Sequence, residues 1–413
     1  MPEQLRIAMI SLHSCPLGKL GERDTGGMNV YIRELARELG EKGHIVDIYT
    51  RTHQPEHEQV IDLGNNTRLI HIETGATEEI PKIAFYSYLE RFICGVENFR
   101  SSNINSRYDL IHSHYWLSGL AGKHLQLWWH VPHITMFHTL GAVKNSIGIG
   151  EEETELRIEG EREVINSCEQ IIAATATEKK DLIYYYHARQ QNITVLPCGV
   201  NPDIFKPIDK ETAIKELGLS DQSTILYVGR IEQLKGLGQL LKAMNYIKDS
   251  ISPRLLIVGG DEFGNGETQA LYNLADELQI KDKVLFQGSV PHETLPLYYS
   301  AADICVIPSY YESFGMVALE SLACGTPVLA TDVGDMKNII RSDAAGYIID
   351  SNSPDRLAEK LSELLSNGKK QLEDAEIRRS LISDYNWREI ADRILLEYES
   401  AIENYSTPVP AAL

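Results

Sequence analysis

Two glutamates at an E-x7-E spacing, Glu312 and Glu320, lie in the segment Pro308-Ser309-Tyr310-Tyr311-Glu312-Ser313-Phe314-Gly315-Met316-Val317-Ala318-Leu319-Glu320. The segment follows a buried-strand pattern. It opens a helical stretch that stops at Gly325, with Pro327 beyond. Glu320 falls about two turns into that helix, among Met316, Val317, Ala318, Leu319, Leu322 and Ala323. A carboxylate on a mostly buried helix is costly unless it is paired. Glu320 can accept from two ribose hydroxyls, and Glu312, on the loop, from sugar hydroxyls. Free backbone N–H groups from Phe314 to Val317 form an anion site at the helix start. A capped helix with one surface glutamate is the bland alternative, and it explains Glu320 poorly.

Arg230 and Lys235 lie in Gly229-Arg230-Ile231-Glu232-Gln233-Leu234-Lys235-Gly236, after the first strand of the second half. A forked guanidinium and a point-charge ammonium at a strand's carboxyl end can clamp a diphosphate from one side; two solvated loop charges are the alternative. Asp24-Thr25-Gly26-Gly27-Met28-Asn29 follows the first strand and opens a helix. Its glycines let backbone N–H groups approach a phosphate or sugar closely. They also suit a plain strand-to-helix turn. The excursion from Ser14 to Arg23 before it is longer than a turn needs. His138 ends a strand beside Thr139, Lys144 and Asn145, which favours a site role over a structural one. His112 and His114 share a strand face, but no third ligand stands at a metal-site spacing, so no metal is expected there.

These groups need strands and helices to place them. Apolar runs at Arg6–Leu12, Ile45–Thr52, Thr67–Glu73, Tyr108–His114, His133–Thr139, Gln170–Ala174 and Asn192–Pro197 alternate with amphipathic stretches. That is the pattern of parallel strands covered on both faces. After a proline-rich boundary at Pro197–Pro207 the pattern restarts: Thr224–Val228, Arg254–Val258, Val284–Gln287, Ile304–Pro308, Pro327–Thr331 and Gly346–Ile349. The expected fold is α/β, with two doubly wound units in tandem: residues 1–202, residues 203–385, and a terminal helix over Asn386–Asn404 within 386–413. An acidic helix is expected over Glu151–Glu163, and Thr407–Leu413 reads as a frayed tail. Ligands of such sheets bind outside the carboxyl ends of the strands, so two facing units form a cleft.

The 413 residues carry a formal net charge of −20, which disfavours non-specific binding to nucleic acid or anionic membrane. No apolar run approaches the ~20 residues of a membrane span. Met-Pro-Glu-Gln-Leu-Arg runs straight into a short apolar strand without a basic leader, so a cytoplasmic protein is expected. Cys15, Cys94, Cys168, Cys198, Cys305 and Cys324 form no CxxC pair and read as free buried thiols.

Gly229-Arg230 with Lys235-Gly236, and Glu312 with Glu320, resemble the motifs of the retaining nucleotide-sugar glycosyltransferases of GT-B fold, glycosyltransferase family 4. The resemblance runs from Gly26-Gly27 to the terminal helix. It implies two Rossmann-like domains facing across a cleft, with 1–202 binding the acceptor and 203–385 the nucleotide sugar. The terminal helix then crosses back onto the first domain. It implies that Arg230 and Lys235 hold the donor diphosphate, Glu320 the ribose and Glu312 the 3-hydroxyl of the transferred sugar. Gly315, Met316 and Val317 supply backbone contacts, Gly27 approaches from the opposite domain, and Val290 lies near the base. His138 matches the family's active-site histidine. Gly26-Gly27-Met28-Asn29, His114-Tyr115-Trp116-Leu117-Ser118-Gly119 and His138-Thr139 with Lys144-Asn145 look most like the inositol-phosphate transferases. In those, Asn29, Lys82, Tyr115, Thr139 and Arg157 hold a phosphorylated acceptor. Arg157 on an acidic helix reads equally well as an i,i+4 ion-pair partner. Sucrose-phosphate synthases resemble the chain almost as well, but usually carry Gly-Gly-Gln where Gly-Gly-Met stands here.

The resemblance implies transfer of a hexosyl group from a UDP-sugar to a hydroxyl of a phosphorylated acceptor. Anomeric configuration is retained by same-face substitution through an oxocarbenium-like state. No cofactor is required beyond the UDP-sugar co-substrate; magnesium is compatible but not essential. A homodimer is compatible with the sequence. Two other classes fit the same scaffold: a nucleotide-sugar epimerase, which would leave the acceptor-side residues idle, and a non-catalytic two-lobed sugar-binding protein, against which the Arg230/Lys235 clamp argues.

Overall fold

A computed structural model describes residues 4–20, 25–53, 58–75, 81–102, 107–247, 251–260, 266–366 and 375–406. Asp24, part of the Ser14–Arg23 excursion and the tail from 407 lie outside the described residues. The first sheet contains β1 (Arg6–Ile10), β2 (Ile45–Arg51), β3 (Val60–Gly64), β4 (Thr67–Ile72), β5 (Leu110–His114), β6 (His133–Met136), β7 (Gln170–Ala173) and β8 (Ile193–Val195). Its spatial order is β3-β4-β2-β1-β5-β6-β7-β8. The second sheet contains β9 (Thr224–Val228), β10 (Arg254–Val258), β11 (Val284–Gly288), β12 (Ile304–Ile307), β13 (Val328–Thr331) and β14 (Gly346–Ile349). Its order is β11-β10-β9-β12-β13-β14. The pairings are parallel except β3 with β4.

Strand order reverses between β1 and β5 in one sheet and between β9 and β12 in the other. Such switch points open a crevice at the strands' carboxyl ends. The loop after β1 carries Gly26-Gly27, and the chain after β5 carries Tyr115. The loop after β9 carries Arg230 and Lys235, and the loop after β12 carries Glu312. The four segments singled out by their chemistry therefore leave the four strands that flank the two switch points.

The anticipated β1, β2, β4, β6, β7, β8 and β12 end one to three residues early, β11 runs one residue longer, and β5, β9, β10, β13 and β14 end where expected. The run His133–Thr139 leaves the sheet after Met136: Phe137 is buried in the apolar core, and His138 takes a positive φ. The edge strand β3 was not anticipated: its half-exposed pattern with Asp62 lacks the buried run of its neighbours. Its turn signal is readable, since Asn65 and Asn66 both take positive φ, 47° and 57°, as a two-residue hairpin turn requires. The acidic helix spans Glu155–Ser167 rather than Glu151–Glu163, because the Thr154 side chain caps it. Cys94 is exposed on the helix Leu89–Ser102, unlike the other five free cysteines.

The terminal helix Trp387–Ser406 returns to the first sheet. Trp387 is 1% exposed. It lies against Gly199, where a Cβ would come within 2.8 Å of the indole, and edge-on to Tyr31 with centroids 5.2 Å apart. The Tyr398 hydroxyl pairs with His112 Nδ1 at 2.7 Å. One apolar cluster unites this helix, the helix Gly27–Glu41 and the helix Met316–Ala323. Two helices that follow site glycines thus share one core with the terminal helix, while Tyr115, Phe137 and Leu140 belong to a separate cluster. Among the described residues no helix is long and apolar enough to cross a membrane.

Candidate active site

The two switch points face each other closely. A Cβ at Gly26 would stand 3.5 Å from Arg230 Nε, and one at Gly27 would stand 3.3 Å from Met316 Sδ. Gly26 caps the helix Gly27–Glu41. Gly27 therefore permits a close backbone-to-side-chain approach, whereas a Cβ at Gly26 would make an ordinary contact. Tyr311 also crosses this gap, packing on the apolar cluster of the first sheet, and burial raises its phenol.

On the second sheet, Lys235 Nζ donates to Glu312 Oε2 at 2.8 Å, and Ser309 Oγ donates to Glu312 Oε1 at 2.8 Å. Arg230 Nη1 pairs with Glu232 Oε1 at 2.6 Å. The turn at Gly236, φ 69°, sets Lys235 beside the Glu312 loop: the Tyr310 N–H donates to the Leu234 carbonyl at 2.8 Å. Any Cβ at Gly236 would fall 1.9 Å from the Pro308 carbonyl oxygen. Gly315 takes φ 123° and caps the helix Met316–Ala323, and Met336 fills the space its Cβ would need. Two cations, a helix start and an oriented carboxylate thus converge in one crevice. Val290, after β11, packs on the shared core half-buried.

Glu320 is 5% exposed and is paired, as its burial demands. His292 Nε2 lies 2.9 Å from Oε1, and the Tyr299 hydroxyl donates to Oε2 at 2.8 Å. Sequence reasoning missed both partners. His292 lies two residues beyond Val290 in a short turn, with no periodic pattern to mark it.

On the first sheet, His138 Nε2 lies 3.0 Å from His114 Nδ1. His112 bonds Tyr398 instead, so the His112/His114 pair serves two different hydrogen bonds, and among the described residues no cluster of three or more ligands could hold a metal. Burial depresses His138 to about 3, so it is a neutral imidazole at ordinary pH. Both His138 and Tyr115 take positive φ, 61° and 75°. Such backbone is strained for bulky side chains and gathers at functional sites.

Thr139, Tyr115 and Arg157 are brought together. Arg157 Nη2 donates to the Thr139 carbonyl and hydroxyl, each at 3.0 Å, and its guanidinium lies 4.9 Å from the Tyr115 ring centre. Arg157 is also a buried ion-pair partner, 2.8 Å from Glu161 and 2.7 Å from Glu153. Burial opposes its charge, but Tyr115, Glu161 and Glu153 outweigh it and raise its pKa. Lys144 also binds Glu153, so one carboxylate bridges two cations. Asn29 Nδ2 donates to Ser14 Oγ at 2.7 Å and the Cys15 carbonyl at 2.6 Å, while Oδ1 accepts from the Gly26 N–H at 3.0 Å. Both of its amide hydrogens are committed to the loop; only Oδ1 keeps an open lone pair. Lys82 begins the turn Lys82–Tyr88, and its side chain lies outside what is described.

Comparison with known proteins finds two family models along the chain. Residues 25–204 match the family model described as Glycosyltransferase Family 4, and residues 209–395 match Glycosyl transferases group 1. The D-inositol 3-phosphate glycosyltransferase of Thermobispora bispora is 37% identical over 98% of this chain and 97% of that protein. The protein of the same name from Thermobifida fusca is 36% identical over 98% and 95%. Among solved structures, a sucrose-phosphate synthase from Thermosynechococcus elongatus superposes with a TM-score of 0.88 at 30% identity, covering 97% of this chain and all of that one. Anabaena HepE in complex with UDP-glucose shares the fold, with a TM-score of 0.75 at 16% identity over 96% of this chain and 100% of that one. With facing switch points, an E-x7-E pair and relatives alike over nearly their whole length, the chain belongs to the GT-B glycosyltransferases of family 4.

Proposed function

We propose that this glycosyltransferase moves a hexosyl group from a UDP-sugar to a hydroxyl of a phosphorylated acceptor, with retention. The observation that supports it is the convergence of Arg230, Lys235 and Glu312 opposite Gly26-Gly27. A diphosphate there is neutralised by two cations and the amides at Gly315, Met316 and Val317. Glu312 is aimed at a sugar hydroxyl and Glu320 at the ribose. The carboxyl ends of the first sheet hold the acceptor, with Arg157, Thr139, Tyr115 and Asn29 around it and Lys82 contributing from the chain after β4. The division of labour is then residues 1–202 for the acceptor and 203–385 for the donor, with 386–413 fastening the two.

Retention in this reading uses no carboxylate nucleophile. Glu312 is held by Lys235 and Ser309 as a hydroxyl acceptor. The donor C1–O bond to the β-phosphate breaks as the acceptor oxygen bonds C1 from the same face. The leaving phosphate oxygen takes the acceptor's proton. Catalysis is then positioning and charge stabilisation. Neutral His138 cannot supply a proton at ordinary pH and acts by positioning the sugar. With two cations and a helix start on the diphosphate, no metal is required, and chelation is expected to leave turnover unchanged.

The relatives named as acting on D-inositol 3-phosphate favour an inositol-phosphate acceptor. A second reading, UDP-glucose with fructose 6-phosphate, has the sucrose-phosphate synthase structure in its favour and Gly-Gly-Met against it. The deciding assay is UDP release from UDP-glucose and UDP-N-acetylglucosamine, each with fructose 6-phosphate, 1D-myo-inositol 3-phosphate or no acceptor. Release that depends on one phosphorylated acceptor supports the proposal. Release indifferent to every acceptor points to a hydrolase, and no release to an epimerase that keeps its sugar on UDP; either outcome removes the acceptor half of the proposal.

A further inference from the structure

His292 stands between a carboxylate of the second sheet and a cation of the first. Its Nε2 is 2.9 Å from Glu320 Oε1, and its Nδ1 is 3.1 Å from Arg33 Nη2. Arg33 lies on the helix Gly27–Glu41, which follows β1. A guanidinium has donors only, so Nδ1 must be the acceptor. Nε2 then carries the hydrogen and donates it to Glu320. The arginine therefore fixes the tautomer that the carboxylate needs. Phe205 packs edge-on to both His292 and Tyr299, at 4.9 Å and 6.2 Å between ring centres, so the imidazole cannot readily turn. With Tyr299 on Oε2, each carboxylate oxygen has one fixed donor, and the carboxylate plane is set.

We propose that His292 is a positioning residue for Glu320, and that Arg33, by fixing its tautomer from the opposite sheet, makes ribose recognition depend on how the two sheets are placed. The proposal rests on the reading of Glu320 as the ribose acceptor. Each Glu320 oxygen keeps a lone pair for a ribose hydroxyl, aimed only while His292 and Tyr299 hold the plane. A shift of the first sheet withdraws Arg33, frees the imidazole to change tautomer and releases one of the two donors. Nucleotide affinity is thereby tied to domain alignment through a contact that does not touch the nucleotide.

The test is calorimetric binding of UDP and of 2′,3′-dideoxy-UDP to the wild-type chain and to His292→Ala, His292→Gln and Arg33→Ala. Glutamine keeps an N–H donor near the place of Nε2. The expected result is UDP affinity weakened on the order of tenfold in His292→Ala, mostly restored in His292→Gln and weakened about threefold in Arg33→Ala. The dideoxy ligand should bind all four proteins alike. Equal losses for both ligands mean a general structural effect and overturn the proposal, as does unchanged UDP binding. A wild-type protein that binds both ligands equally removes the ribose reading of Glu320 itself, and this proposal with it.

Discussion

Lys235 Nζ and Glu312 Oε2 form a 2.8 Å ion pair between the loops that leave β9 and β12. The pair orients Glu312 and leaves Lys235 two further donors, enough to hold a diphosphate without releasing the glutamate. Lys235→Ala is expected to cut kcat on the order of 10²–10³, as for loss of one preorganised charge-stabilising contact. Steady-state turnover near the wild-type value in that variant contradicts the role.

Gly27 marks how tightly the two sides approach. A β-branched side chain there would press on Met316, whose sulfur already lies 3.3 Å from the Cβ position. Gly27→Val should raise the donor KM on the order of 10-fold or more by widening the gap, with little change in the melting temperature. A variant with unchanged KM shows that the gap is slack.

Arg157 is predicted to be structural as well as functional. Its removal leaves Glu161, fully buried, with the Gly141 N–H and Tyr186 as its partners among the described residues. Arg157→Met should cost roughly 3–5 kcal/mol in urea unfolding, as for other broken buried pairs. Arg157→Lys, which keeps the charge, should cost less. A loss below about 1 kcal/mol for the methionine variant would mark the pair as no stronger than a surface one.

Acid stability follows from the buried histidines. Burial depresses His112, His133 and His138 each to about 3, and His114 well below its usual value. Between about pH 6.5 and 3 the unfolded chain binds protons that the folded chain refuses, so stability is full above that window and falls as pH drops through it. Each such histidine contributes about 1.4 kcal/mol per pH unit well below 6.5. Glu178, raised by burial to about 7, works the other way: its contribution is present below about 4.5 and is lost as pH rises through 7. Urea titrations at pH 7, 6 and 5 should show a steep loss on the acid side. A flat profile contradicts the buried neutral histidines. Catalysis, in contrast, should show no inflection near 6.5 from His138, which stays neutral throughout.

Much of this was legible in the sequence because strong local signals coincide with the switch points. The apolar runs at Thr224–Val228, Arg254–Val258 and Gly346–Ile349 are the strands β9, β10 and β14 without correction. Glycines, cations and the paired glutamates follow the strands that flank the crevices. Long-range pairings were not legible. Glu320 could be read as needing partners, but not that His292 and Tyr299 supply them, since nothing periodic links positions 292, 299 and 320. Nor does spacing reveal that Asn29 ties its own loop, or that His114 meets His138 across neighbouring strands. The edge strand β3 escaped because an edge carries no continuous apolar run.

Whether the acceptor carries a phosphate is decided by comparing phosphorylated acceptors with their unphosphorylated forms in one UDP-release assay. Fructose 6-phosphate and 1D-myo-inositol 3-phosphate are set against fructose and myo-inositol, with UDP-glucose and UDP-N-acetylglucosamine as donors. One phosphorylated acceptor should be favoured on the order of 100-fold, since in the proposed acceptor site the phosphate makes charge-assisted contacts that the unphosphorylated form lacks. Equal rates with and without the phosphate would contradict a phosphate-binding acceptor site.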